Sequence, residues 1–529
     1  MTPFSTLTLD SVAFALPDGR QLFSDLNERF DQRHTGLVGR NGVGKTVLAQ
    51  ILAGRLQPNA GHCRASGLVH YLGQQLPSPE ATVAQLAQVD KVLDALRRIE
   101  AGSSKQSDFD TVGERWDMRE RLQAQLARHG LEQLDADRRV ATLSGGQAMR
   151  VALLGAFLSE ADYLILDEPS NHLDGPGRAL LLEALGQWHK GLLVVSHDRE
   201  LLEHMQRIVE LSSLGLDSYG GNYSVYAQCK SAASAQAEIT LQRLKLARQR
   251  QARELQQQRE RLERRQSRAS RDARDSNQAK ILLDRQQQRS EVTAGKQQRD
   301  HHLARQTMAV QVREAALRVE ASCPIVLHTP DPIRPTGGPL VCLHELQLPY
   351  GDQHQPALNW RLYSGERVAL VGANGSGKST LLKVLAGQLL PRAGHCEVCA
   401  EATYLDQHCS LLPASQSVLE FLRHCTASRD ESSLRTRLAQ LGLGAERVDL
   451  ASGLLSGGER LKAALAGLLY GDRPVPLLLL DEPSNHLDLP SLAALEAMLQ
   501  QYRGALLVVS HDQVFLQQLR LDTAWQLGL

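Results

Sequence analysis

The stretch GRNGVGKT at residues 39–46 decides the fold of this chain. It follows the apolar run HTGLV at 34–38 and precedes the helix-patterned VLAQILAG at 47–54. A GxxxxGK[ST] loop between a strand and a helix is built to cradle phosphates. Its glycines let backbone N–H groups turn toward phosphate oxygens. The helix that follows adds the positive potential of its N-terminus. Lys45 can neutralise charge on the β- and γ-phosphates, and Thr46 can place a hydroxyl on Mg²⁺. Gly39, Arg40, Asn41, Gly42, Val43, Gly44, Lys45 and Thr46 are therefore expected to bind ATP.

The same loop returns as GANGSGKS at 372–379, between RVALV at 367–371 and TLLKVLAG at 380–387. Gly372, Ala373, Asn374, Gly375, Ser376, Gly377, Lys378 and Ser379 form the matching expected set. Four more motifs repeat in order: YLGQ and YLDQ, LSGGQ and LSGGE, LILDEPSNHLD and LLLDEPSNHLD, VVSHD twice. Lys45 to Gln74 is 29 residues, as is Lys378 to Gln407; Asp167 to His197 is 30, as is Asp481 to His511. Ordered motifs at matched spacing mark an internal duplication. One interval departs. Gln74 to Ser144 is 70 residues and Gln407 to Ser456 is 49, so the first copy carries 21 extra, around 94–130.

Each repeated motif has a chemical use. LILDE and LLLLDE read as buried parallel strands that end in two carboxylates. Asp167 and Asp481 are expected to support magnesium, with Thr46, Ser379, Gln74 and Gln407. Glu168 and Glu482, one residue on, can polarise an attacking water. His197 and His511 each follow an apolar strand end and can steady a γ-phosphate. Ser144, Gly145 and Gly146, like Ser456, Gly457 and Gly458, precede helical patterns and form a second phosphate-binding helix start. The fold class that follows is α/β, with two P-loop domains.

Composition sets the limits. The chain has 529 residues, 42% of them hydrophobic, and 59 Lys+Arg against 59 Asp+Glu. The N-terminal MTPFSTLTLD lacks the basic-then-apolar order of a secretory signal. No apolar run approaches the ~18 residues that cross a bilayer. The eight cysteines are scattered, so a reducing cytoplasm is expected. Cys396 and Cys399 form one CxxC with no second pair at zinc-site spacing, and no metal role is assigned to them.

Neutrality overall hides a basic segment. Residues 229–320 hold 21 Lys/Arg against 11 Asp/Glu. Residues 229–323 contain no proline, no aromatic residue and only Gly295. Such a composition favours long helices. Leu241, Leu255 and Leu262 share one heptad position, interrupted by Arg248. That seam suits a two-helix hairpin, with a turn near 267–277. Arg264 and Arg265 are adjacent, Arg268, Arg271 and Arg274 follow at three-residue steps, and all five are expected to contact RNA phosphates. Without aromatics, base stacking is not the mode. A solvated spacer between the domains is the competing reading.

LSGGQ beside these strands resembles the ATP-binding cassette superfamily. Two cassettes on one chain, EPSNHLD after both strands and a charged helical linker resemble its ABC-F family. The implied architecture is cassette 1 at 1–228, a basic helical linker at 229–323, and cassette 2 at 324–529. The extra residues at 94–130 resemble a short form of the family's arm. The resemblance implies head-to-tail pairing, with the 39–46 loop facing signature 455–459 and the 372–379 loop facing 143–147. It also implies a monomer that binds ATP and Mg²⁺, hydrolyses ATP, and places an aromatic ring on each adenine. Tyr350 fits that place in the second copy; Phe14 is a candidate in the first, where Leu16 holds the closer equivalent position. By the same resemblance the partner is the ribosome, through rRNA and P-site tRNA, bound near the tRNA exit (E) site in the ATP state. The outcome would be translation regulation or antibiotic resistance by ribosome protection. The alternative is a DNA-associated ATPase in repair or replication. Relatives of that kind carry a C-terminal DNA-binding extension, and here 18 residues follow His511.

Overall fold

In the first half, β1 (Leu7–Ala15), β2 (Gln21–Phe30) and β4 (Ala60–Ala65) form an antiparallel sheet in the order β2-β1-β4. A second, six-stranded sheet has the order β5-β6-β7-β3-β8-β9. Its strands are β3 (His34–Gly39), β5 (Val69–Leu72), β6 (Tyr163–Asp167), β7 (Gly191–Val195), β8 (Arg207–Ser212) and β9 (Gly215–Gly220). All its pairings are parallel except β8 with β9. Every residue of β6 and β7 is buried, as expected for a parallel sheet covered on both faces. The coordinates are a computed structural model, which describes residues 5–74, 78, 80–171, 173–275, 306–307, 309–313, 338–350, 356–406, 410–426, 430–441, 443–471, 475–485 and 487–528.

Helices carry the chain between these strands: α1 (Lys45–Leu52), α2 (Val83–Leu86), α3 (Asp90–Glu100), α4 (Gln106–Val112), α5 (Met118–Arg128), α6 (Gly145–Leu158), α7 (Gly175–Gln187) and α8 (Arg199–Glu203). The extra residues of the first copy fall on α3 to α5, which bury Leu93, Leu96, Met118, Leu122 and Leu126 against the core of α6 and β6. The insertion is thus a packed helical layer. Phe109 and Trp116 form an aromatic pair on it at 6.0 Å, and both are exposed.

The second half repeats the plan. β10 (Pro339–Gln347), β11 (Arg361–Tyr363) and β13 (Ala393–Val398) make the antiparallel sheet. β12 (Arg367–Val371), β14 (Ala402–Leu405), β15 (Leu477–Asp481), β16 (Ala505–Val509) and β17 (Thr523–Gln526) make a parallel sheet ordered β14-β15-β16-β12-β17. Its helices include α10 (Lys378–Leu385), α11 (Val418–Cys425), α12 (Glu431–Gln440), α13 (Ala445–Val448), α14 (Gly457–Tyr470), α15 (Leu489–Gln501) and α16 (Gln513–Gln518). In both halves the P-loop strand lies beside the strand that precedes the SHD motif. Loop, carboxylates and histidine therefore gather at one sheet edge, the C-terminal ends where ligands bind in such sheets.

Contacts divide the chain into two compact units, 1–226 with 325–529, and 227–324. A continuous helix, α9 (Tyr223–Asp275), leads into the second unit. At 1.5 Å per residue its 53 residues span about 80 Å. Residues 267–275 are helical, so the turn expected at 267–277 does not begin there. Serine and aspartate interrupt the apolar pattern, but each costs a helix only roughly tenths of a kcal/mol. Residues 276 and 277 lie outside the described ones. Arg264 is exposed. Arg265, Arg268, Arg271 and Arg274 sit on the helix backbone, and their side chains lie outside the described residues.

Candidate active site

Gly44 and Gly377 precede α1 and α10 with φ of 105° and 98°. Only glycine adopts that conformation without strain, and it turns the loop's amides inward. Lys45 Nζ donates to the carbonyls of Gly39 and Arg40 at 2.9 and 3.0 Å. Lys378 Nζ does the same with Gly372 and Ala373 at 2.8 and 2.9 Å. Burial lowers the pKa of both ammonium groups, and the acidic side chains nearby oppose that shift.

The two carboxylates after each buried strand sit differently. Asp167 is held by the phenol of Tyr71, whose OH donates to Oδ2 at 3.3 Å. Asp481 accepts from Tyr404 at 3.0 Å. Glu168 and Glu482 take left-handed backbone angles, φ 51° and 48°. A non-glycine residue pays on the order of 1–3 kcal/mol for this, and such strain clusters at functional sites. Each is pinned there: Glu168 N–H donates to Val195 O at 2.8 Å and Glu482 N–H to Val509 O at 2.9 Å. Burial pushes the Glu168 carboxyl up to about 8 against the pull of Lys45. It pushes Glu482 up to about 7. Carboxylates poised near neutrality suit proton transfer.

The histidines face these glutamates. His197 Nε2 is 3.7 Å from Glu168 Oε1, and neither ring nitrogen has a hydrogen-bond partner among the described residues. His511 Nε2 is 3.5 Å from Glu482 Oε1 and 3.0 Å from Asn374 Oδ1. Desolvation lowers His197 to about 3 and His511 to about 4, so both rings are neutral at pH 7. Asp167 Oδ1, Ser376 Oγ and Glu482 Oε1 are also buried without a hydrogen-bond partner among the described residues. Unmatched buried donors and acceptors beside a phosphate loop fit a magnesium nucleotide, which supplies both charge and oxygens.

The halves meet at these loops. Asn41 N–H donates to Asp488 Oδ2 of the other half at 2.9 Å. Arg178 Nη1 donates to the His511 carbonyl at 3.2 Å. Ser144 and Ser456 cap α6 and α14, each accepting from the amide three residues on in a capping box with Gln147 or Glu459. These hydroxyls thus serve their own helices, a local use that the motif reading omitted.

The family described as "ABC transporter" matches residues 28–171 and 356–485. The tylosin resistance ATP-binding protein TlrC of Streptomyces fradiae is 32% identical, over 97% of this chain and 95% of that protein. The human ATP-binding cassette sub-family F member 3 is 29% identical, over 93% of this chain and 67% of its own. This chain belongs to the ABC-F family. As an ABC-F chain it carries two ATP-binding domains. Among solved structures, the archaeal ribosome recycling factor aABCE1, in complex with the ribosomal stalk protein aP1, covers 98% of this chain and 87% of its own at 20% identity and TM-score 0.56. That likeness concerns the fold. No helix among the described residues is long and apolar enough to cross a membrane.

Other expected site residues are less engaged. Gln74 is exposed after β5, and Gln407 lies outside the described residues. Tyr350 is 68% exposed three residues beyond β10, and Phe14 is half-buried on Phe23, ring centroids 6.3 Å apart. Against the loops themselves lie Phe23 and Leu22 beside Gly44, and Leu348 beside Gly377. Sequence reading passed over Tyr71 and Tyr404. Their signal was present, since each opens the repeated tetrapeptide that also contains Gln74 or Gln407. Arg178, Arg199 and Glu496 carried no such signal, because none is matched in the other half.

Proposed function

We propose that this chain hydrolyses ATP to ADP and phosphate at two composite sites and uses the cycle to bind and leave the ribosome. The observation that supports it is the duplicate pairing of a strained, buried glutamate with a neutral histidine, Glu168 with His197 and Glu482 with His511. In this reading Gly39–Thr46 and Gly372–Ser379 bind the phosphates. Thr46, Asp167 and Gln74, with Ser379, Asp481 and Gln407, hold magnesium, which would neutralise phosphate charge when bound. Glu168 and Glu482 accept the proton of the attacking water. His197 and His511 orient the terminal phosphoryl group. Ser144–Gly146 and Ser456–Gly458 offer helix starts to the opposite site. Tyr350 supplies the adenine contact in the second site.

The basic linker, with Arg264, Arg265, Arg268, Arg271 and Arg274, reaches rRNA and P-site tRNA from near the tRNA exit (E) site. The chain acts as a cytoplasmic monomer that regulates or protects translation. The name of TlrC, a tylosin resistance protein, favours protection. To test this, Glu168→Gln/Glu482→Gln protein is incubated with ATP and ribosomes, and its sedimentation with them is measured. Accumulation is expected; a double variant that stays off ribosomes with ATP defeats the proposal. Changing Arg264, Arg265, Arg268 and Arg271 to Ala should weaken that binding and flatten its salt dependence.

A further inference from the structure

The contact between the halves is not symmetric. Matching the two copies places Leu492 opposite Arg178, Gln513 opposite Arg199, and Leu182 opposite Glu496. Both guanidinium groups thus project from the first half toward the second, and neither is returned. Leu492 is 2% exposed, so the fold fills this position with an apolar side chain without difficulty. An arginine there has a different use.

Arg178 lies in the first turn of α7, four residues after the cap Asp174. Its Nη1 is 3.2 Å from Asp198 Oδ2 and 3.2 Å from the His511 carbonyl oxygen. Asp198 directly follows His197. One nearly buried guanidinium, 16% exposed, therefore ties the loop of the first histidine to the loop of the second. The His511 loop is the one that also meets its own site: Nε2 faces Asn374 and the backbone N–H faces Glu482 Oε2 at 3.4 Å. On the other side, Asn41 bonds Asp488 through its backbone amide, and the His197 ring has no hydrogen-bond partner among the described residues. A charged donor on a part-buried carbonyl is among the stronger hydrogen bonds. It forms only while the two halves are together.

We propose that Arg178 is a positioning residue that holds the His511 loop in place for hydrolysis at the 372–379 site, so that turnover there depends on Arg178 and the 197–199 loop of the first half, while Leu492, at the matching position of the second half, cannot do the same for the 39–46 site. This rests on the ATPase reading above. Arg178 acts through the His511 backbone.

The test uses the full chain with one site silenced at a time. Glu168→Gln leaves hydrolysis to the 372–379 site, and Glu482→Gln leaves it to the 39–46 site. Arg178→Leu, which installs the residue of the matching position, should lower kcat about tenfold in the Glu168→Gln chain. It should leave KM for ATP there within about threefold and change kcat less than about twofold in the Glu482→Gln chain. Turnover retained at the first site shows that the variant is folded. Arg178→Lys should recover part of the loss. Equal losses in both chains, no loss in either, or a rise in KM alone would overturn the proposal. If neither single-Gln parent hydrolyses ATP faster than the double-Gln chain, the ATPase reading itself fails and the proposal with it.

Discussion

Replacing Arg199 by alanine should weaken nucleotide binding by an amount that depends on pH. The Arg199 guanidinium gives Nη1 and Nη2 to the two carboxylate oxygens of Glu496 at 2.8 and 3.1 Å. The side chains are 9 and 10% exposed. One partner comes from each half. Removing one member of a buried pair costs about 3–5 kcal/mol if the other stays charged. Glu496 has an escape, because it can take up a proton. Desolvation already holds its carboxyl above the usual range, against the opposing bonds and charge of Arg199. Without Arg199 the penalty at pH 7 cannot exceed the cost of protonating an ordinary carboxyl of pKa 4.5. That is about 3.4 kcal/mol, or roughly 300-fold in an equilibrium constant, and the bound falls about tenfold for each unit of pH below 7. When the halves separate, both groups are hydrated and the penalty disappears, so it falls on ligands that draw the halves together. The assay is an equilibrium titration of Glu168→Gln/Glu482→Gln protein with a fluorescent ATP analogue at pH 5.5, 6.5 and 7.5, with and without Arg199→Ala. The ratio of Kd values should rise with pH, by up to about tenfold per unit. Adding Glu496→Leu, the residue of matching position 182, should restore most of the affinity. A ratio constant across the three pH values, or a combined variant that binds more weakly than Arg199→Ala alone, refutes the reasoning.

Three further outcomes are expected. Glu168 and Glu482 have folded pKa values raised to about 8 and about 7 from 4.5, so the folded state holds more protons than the unfolded one between those values, and their contribution is fully present below pH 4.5 and lost as pH rises. Glu168→Gln/Glu482→Gln should therefore raise the Tm of nucleotide-free protein, by about 2–6 °C at pH 8 and less at pH 5; calorimetry showing a gap that narrows toward pH 8 contradicts it. Ser144→Ala removes the cap of α6 and should cost about 1 kcal/mol in urea unfolding, with Ser144→Asp close to neutral. Tyr404→Phe removes the 3.0 Å hydrogen bond to Asp481 and should raise the magnesium concentration for half-maximal ATPase about tenfold, with Tyr71→Phe, whose bond is 3.3 Å, giving a smaller shift.

Much of the site was legible because its parts are local. A phosphate loop needs glycine at fixed offsets before a helix, and GRNGVGKT and GANGSGKS display that need within eight residues each. Strand ends announce themselves through five buried residues that stop at Asp167 or Asp481. Duplication then separated the pattern from chance, since a glycine-rich turn would not repeat with its glutamate and histidine at equal spacing. The described start of the linker, through Asp275, was legible as helix for the same local reason.

By itself, then, the sequence determined the two α/β phosphate-loop domains, their carboxylates and histidines, and the helical start of the basic segment. Each of these is written in propensity and spacing along one stretch of chain. Only the tertiary structure decided that Glu168 and Glu482 sit in left-handed backbone and are shifted toward neutral pH, because burial depends on what packs around a residue. Only it decided that Arg178 spans Asp198 and the His511 carbonyl, and that Arg199 meets Glu496. Arg178 and His511 stand 333 residues apart and Arg199 and Glu496 297, on two copies of one fold. The phosphate loops are alike in both halves, and what Arg178 and Arg199 of the first half meet in the second is settled by tertiary packing.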